Sequence, residues 1–312
     1  MQRQLLSQDH VSAFVVGGLK EYGSSEAICE IGCSLLLQLC RIGIPRSAAW
    51  RRQLEQDVIV SVLLKAEEEH SRHAGIVAGG LEGLERLAEF LKESWQAYAV
   101  TVIQQASEAL DTHLDSAAIC GHAIALLGHM AGVPETASFY LSSAVPGRSV
   151  AAALRHWVNE RVRAKSIWLW AQLVALSSAQ AQALFDAKVC ELLGLSLRDN
   201  AAPRTIIMDS LRLLEGLAKG DDSEADRRRT YFSTCGVVAD VMNILDQSFD
   251  RQVRTLVERV VHLLDRPNAF LNESGGEMDQ VMTPHYNAPS LADVYGRADS
   301  NGPHVNGVDQ EA

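Results

Sequence analysis

Aromatic side chains make up only 6% of the 312 residues, and there are eight prolines. The long runs of alternating β-branched or aromatic and polar residues that mark half-buried strands are missing, which excludes a sandwich or barrel. No apolar run reaches the roughly 18 residues of a membrane-spanning helix. No glycine-rich loop follows a strand, so phosphate-cradling nucleotide sites are excluded; Gly79-Gly80 sits inside a helical pattern. Basic residues are also scarce: 28 Lys and Arg face 39 Asp and Glu, a net charge of −11. Such a chain repels polyanions as a whole, which argues against nucleic acid as its partner. Six cysteines (29, 33, 40, 120, 190 and 235), with no secretory pattern beside Met-Gln-Arg-Gln, are expected to be reduced thiols in a cytoplasmic or nuclear setting. The Asn272-Glu273-Ser274 sequon is then a chance match, and the N-terminus lacks the glycine that myristoylation needs.

Hydrophobic residues are plentiful, at 47%, and fall mostly at three- and four-residue spacings. This pattern predicts an all-α protein. Prolines 45, 134, 146, 203 and 267 punctuate the helical segments. One helical pattern recurs at Gln38, Arg86, His129, Gln172, Gly216 and His262, in steps of 43 to 48 residues. A period of that length predicts a right-handed α-solenoid of about six repeats over residues 1–267. After Pro267 the composition shifts to turn formers. From Asn268 onward seven acidic residues face the single Arg297, a charge of −6, and 268–312 is expected to be a disordered acidic tail.

Six segments overlay in one frame: GCSLLLQLC from Gly32, GLEGLERLA from Gly80, AIALLGHMA from Ala123, SIWLWAQLV from Ser166, SLRLLEGLA from Ser210 and LVERVVHLL from Leu256. In each, the third and seventh positions are four residues apart, about 40° around a helix, while the apolar positions between and after them face the core. The outward pairs are Ser34/Gln38, Glu82/Arg86, Ala125/His129, Trp168/Gln172, Arg212/Gly216 and Glu258/His262. Another apolar helix precedes each segment, from about His10, Asp57, Tyr98, Val150, Lys188 and Gly236.

Cys235 to Leu264 (CGVVADVMNILDQSFDRQVRTLVERVVHLL) resembles the second helix, acidic turn and third helix of an armadillo repeat, and ICGHAIALLGHMAG from Ile119 is similar to its third helix. A HEAT-like solenoid is the alternative. The resemblance covers about residues 10–267 and implies a non-enzymatic protein-interaction scaffold, with a protein or extended peptide along its concave face and no cofactor. Armadillo proteins that take basic nuclear-import peptides carry a Trp/Asn ladder at the outward positions; here only Trp168/Gln172 approaches it, which counts strongly against that ligand. The groove residues expected to bind are Gln38, Arg86, His129, Trp168, Gln172, Arg212, Glu258 and His262. Trp168 is expected to anchor, or else to cover a seam between repeats, while Trp170 points inward.

The remaining clusters are read as ordinary. Glu67–Glu69 with His70 and His73 is a solvated acidic helix end rather than a metal site, and Cys29/Cys33 are buried thiols. Cys120, His122 and His129 lack an identifiable orienting acid, so no nucleophile is assigned. Arg227-Arg228-Arg229 balances its acidic prelude in a solvated segment; together with Arg86 and Arg212 it carries the alternative of an RNA-binding solenoid. A regulatory subunit of an enzyme complex is the third reading. The apolar first unit is the end most in need of covering.

Overall fold

The computed structural model describes residues 8–43, 58–88, 94–199 and 202–265. The expected tail, 268–312, lies outside them. Fifteen α-helices and two short 3₁₀ turns, with no strand, account for the described residues. In order they are α1 (Gln8–Tyr22), α2 (Glu26–Gly43), α3 (Val58–Glu69), α4 (Ala74–Ala88), α5 (Ala99–Thr112), α6 (Ala117–Ala131), α7 (Ala137–Ser142), α8 (Val145–Arg155), α9 (Glu160–Leu176), α10 (Ser178–Asp186), α11 (Val189–Arg198), α12 (Arg204–Ala218), α13 (Ser223–Thr234), α14 (Val237–Gln247) and α15 (Arg251–Leu264).

The six overlaid segments lie in α2, α4, α6, α9, α12 and α15, and each of these helices packs against the next. They form one layer. The preceding helices form another: α1, α3, α5 and α8 pack in sequence, as do α11 and α14. Short helices α7, α10 and α13 complete the last three units as helical triplets. A single continuous core runs through all of them, from Val15 to Leu264. Small residues let the inner helices approach closely: a Cβ on Gly216 would lie 2.2 Å from Val174 Cγ2.

The period is also written into hydrogen bonds. His70, His113 and His156 stand 43 residues apart, each just past a second helix, and each ring Nε2 meets a carbonyl of the preceding unit: Gly23 at 2.6 Å, Ser71 at 2.8 Å and Leu114 at 2.7 Å. Three residues further on, His73, Ser116 and Asn159 each accept from the backbone N–H of the residue three ahead, capping α4, α6 and α9. A staple between units is thus followed at once by the cap of the next inner helix. His70 is buried and bonded here, and Glu67 is 4% exposed, so this helix end is not the solvated acidic turn the sequence suggested.

Arg228 and Arg229 give a second correction. Both are buried rather than solvated. Arg228 donates to the Leu217 carbonyl (2.7 Å) and to Gln182 Oε1 (2.6 Å); Arg229 donates to the carbonyls of Ala218 (2.9 Å) and Gly220 (2.6 Å) and to Asp226. The last carbonyls of α12 lack intrahelical donors, and the two guanidiniums supply them. Arg227, paired with Glu224, remains at the surface.

Candidate peptide-binding face

The inner layer presents its outward positions as the frame requires. Gln38, Arg212, Glu258 and His262 are exposed, Glu82, Arg86, His129, Trp168 and Gln172 are partly exposed, and only Ala125 is fully covered. Trp170 is buried, stacked 6.4 Å from Trp157, with its Nε1 donating to Ser149 Oγ at 2.9 Å.

Trp168 stands at the middle of this face. Its ring lies over Gly128, where a Cβ would come within 2.3 Å of Cζ3, and meets the His129 ring edge-on at 5.0 Å. Lys165 Nζ sits 5.5 Å from its centroid. One side of the indole therefore covers the α6/α9 seam. With His129, Gln172, Gly128 and Val133 it also lines a depression of about 240 Å³, so the same ring that covers the seam borders an open hollow.

An ionic cluster joins four units on the same side. His122 Nδ1 lies 2.6 Å from Glu85 Oε2, and Arg161 (3.0 Å) and Lys165 (3.3 Å) reach the same carboxylate. Glu82 takes Arg41 at 2.5 Å and Arg86 at 2.9 Å. Burial pushes both carboxylates up. Hydrogen bonds and positive charge outweigh it, from His122, Lys165 and Arg161 at Glu85 and from Arg41, Arg86 and His122 at Glu82, so both lie below the ordinary carboxylate value. The orienting acid that sequence reading did not find for His122 is thus Glu85, from another repeat. Cys120 Sγ points to the carbonyls of His113 (3.6 Å) and Leu114 (3.7 Å), and burial, with Asp115 nearby, raises its thiol to about 11. Cys33 and Cys40 are raised by burial to about 12. Such thiols are inert at neutral pH.

Sequence reasoning missed Glu85, Arg161 and Lys165 and weighed His122 only beside Cys120 and His129. Extending the frame one turn toward the N-terminus would have found two of them, because His122 and Lys165 each precede the first outward position, Ala125 and Trp168, by three residues. Toward the other end, α12 and α15 enclose a groove of about 370 Å³, with Arg212, Arg251 and Arg259 around Met208 and Leu256.

No family model and no curated protein matches this sequence. Solved structures do match its backbone. A designed armadillo repeat protein, YIII(Dq)4CqI, superposes with a TM-score of 0.62 at 16% identity, over 81% of this chain and 99% of its own. The fold is an armadillo-like α-solenoid. An engineered protein from a structural genomics consortium (target OR329) gives 0.64 at 15% identity over 81% and 96%. A further designed armadillo repeat protein, solved in complex with the peptide (KR)4, gives 0.60 at 15% identity over 81% and 98%. Among the described residues no helix is long and apolar enough to cross a membrane, and no cluster of three metal-ligating side chains occurs. Within this armadillo-type array the arginines of the RNA-binding alternative are engaged: Arg86 with Glu82, Arg212 with Asp209 at 2.8 Å, and Arg228 and Arg229 in the core.

Proposed function

We propose that this armadillo-type solenoid is a non-enzymatic scaffold that holds an extended protein segment along its inner helices, in a reducing compartment for which the six unpaired cysteines speak. The observation that carries the reading is the row of outward side chains from Gln38 to His262, one or two from each of six stacked helices, with the Trp168 depression at its middle. A stacked array preorganises such a surface, so a ligand gathers modest contacts from successive units without ordering the scaffold. Peptide binding by a designed armadillo neighbour supports the choice of ligand.

The acid/base repertoire needed for catalysis is not assembled on this face. Its buried histidine is tied into an ion cluster and the nearby thiol is raised.

Selection of random displayed peptides on the full chain tests the reading. Selected peptides should lose at least about tenfold in affinity when Trp168, Gln172 and Arg212 are replaced by alanine, since a central aromatic anchor is worth about 2 kcal/mol or more. Unchanged affinity in a variant with native helical circular dichroism would rule out the groove.

A further inference from the structure

The last inner helix carries a charge opposite to that of the chain, with Arg251, Arg254 and Arg259 against Glu258. Around the α12/α15 groove stand Arg212, Arg251 and Arg259, over a floor of Met208 and Leu256. Asp209 holds Arg212 at 2.8 Å and Glu215 holds Arg259 at 3.0 Å. Arg251 forms no ion pair with any described residue, and of the nearby carboxylates Glu258 is exposed on α15 while Asp250 is engaged by Arg204 at 2.5 Å. Three guanidiniums above an apolar floor suit an acidic segment with apolar residues between its charges. The whole chain is at −11, and its largest block of negative charge, −6, begins directly after α15.

The sequence after α15 fits that requirement in composition and in reach. Residues 272–282, NESGGEMDQVM, place Glu273, Glu277 and Asp279 among Met278, Val281 and Met282. Thr255, at the middle of the groove, lies ten residues before Asp265, about 15 Å along the helix. The eight residues from Asp265 to Glu273 span up to about 26 Å when extended, enough to turn back over α15. Attachment to the same chain gives a local concentration on the order of millimolar, so even a weak groove is filled.

We propose that residues 272–282 dock in the α12/α15 groove of their own chain, with the carboxylates of Glu273, Glu277 and Asp279 against Arg259, Arg251 and Arg212 and the methionines over Met208 and Leu256. The inference rests on the inner face being the ligand-binding face. It adds a regulator: the tail covers the C-terminal third of that face, and a partner must displace it.

The test uses the full chain. A p-benzoyl-phenylalanine placed at exposed Thr255, or separately at exposed Gln252, is irradiated at micromolar protein and the cross-linked peptides are mapped by mass spectrometry. The expected product joins α15 to residues 268–284 within one chain. Arg251→Glu with Arg259→Glu should cut its yield at least about twofold, since the loss of two exposed ion pairs of roughly 0.5 kcal/mol each lowers the docking constant about fivefold. Adding Glu273→Lys, Glu277→Lys and Asp279→Lys to that background should restore it. Cross-links only between two chains, none to 268–284 from either position, or a yield indifferent to the charge reversal would overturn the proposal. If selected peptides still need Trp168 and Arg212 while the tail leaves no cross-link, this inference fails alone and the scaffold reading stands.

Discussion

Glu67 is the residue whose surroundings fit its charge least. It is fully buried beneath Gly80, whose Cβ position lies 2.3 Å from Oε1, and that oxygen has no hydrogen-bond partner. Burial alone raises its pKa well above the ordinary carboxylate value. A carboxyl whose folded pKa is raised stabilises the fold fully below its unfolded pKa, about 4.3, and that contribution is lost as pH rises toward the folded value. Glu67→Gln should therefore unfold with the wild type near pH 4 and at a higher temperature at pH 7.5, by roughly 2–4 °C for each 1 kcal/mol. A constant difference across that range in thermal melts would contradict it. Glu82 and Glu85 run the other way: with depressed folded values, their contribution is present above the unfolded pKa and lost as pH falls through the folded one. Comparing Glu67→Gln with wild type at each pH cancels that trend. The single sequence marked Glu67 only as one of three acidic residues, because which member of an acidic run faces the core depends on the helix packed against it.

At the scale of the element, two backbone positions make sharp predictions. Gly216 occupies an outward position of α12, yet any Cβ there would strike Val174 of α9. Gly216→Ala should cost about 1–3 kcal/mol in urea unfolding although alanine is the better helix former by about 1 kcal/mol, because close approach outweighs propensity. A stabilised variant would show that the α9/α12 seam is loose. Lys188 precedes α11 at φ +66°, in the place that Gly236 holds before α14 at φ +87°. A side chain in that region costs roughly 1–2 kcal/mol, of which glycine's extra freedom when unfolded returns part. Lys188→Gly is expected to raise stability by about 0.5–1 kcal/mol, measured by the same unfolding. A loss would mean that the lysine side chain packs usefully.

For the molecule as a whole, the ends of the array are where a solenoid is exposed. Phe14 is 81% and Ile31 62% exposed on the first unit, with Ile28 and Leu35 beside them. An uncovered apolar end invites self-association. Light scattering over a concentration series should show the full chain associating, and Ile31→Lys with Leu35→Lys should return it to monomer mass. A wild type of constant monomer mass would mean that the end is covered within the chain. The inner face, by contrast, is tied together from α2 to α9 by the Arg41, Glu82, Glu85, His122, Arg161 and Lys165 cluster.

The sequence by itself determined the helical class, the six inner helices, the core frame and the outward positions, because each depends on spacing within one helix: apolar residues three and four apart must share a face. It also carried the 43-residue steps of His70, His113 and His156. Only the tertiary structure decided which charges meet. Glu85 and His122 are 37 residues apart, Glu85 and Arg161 76, and Arg228 reaches a carbonyl 11 residues back across a helix end. Burial and pairing across repeats come from how neighbouring helices cross, which a linear pattern does not encode, and those contacts turned two arginines of an expected solvated run into core and an unassigned histidine into a member of the ion cluster.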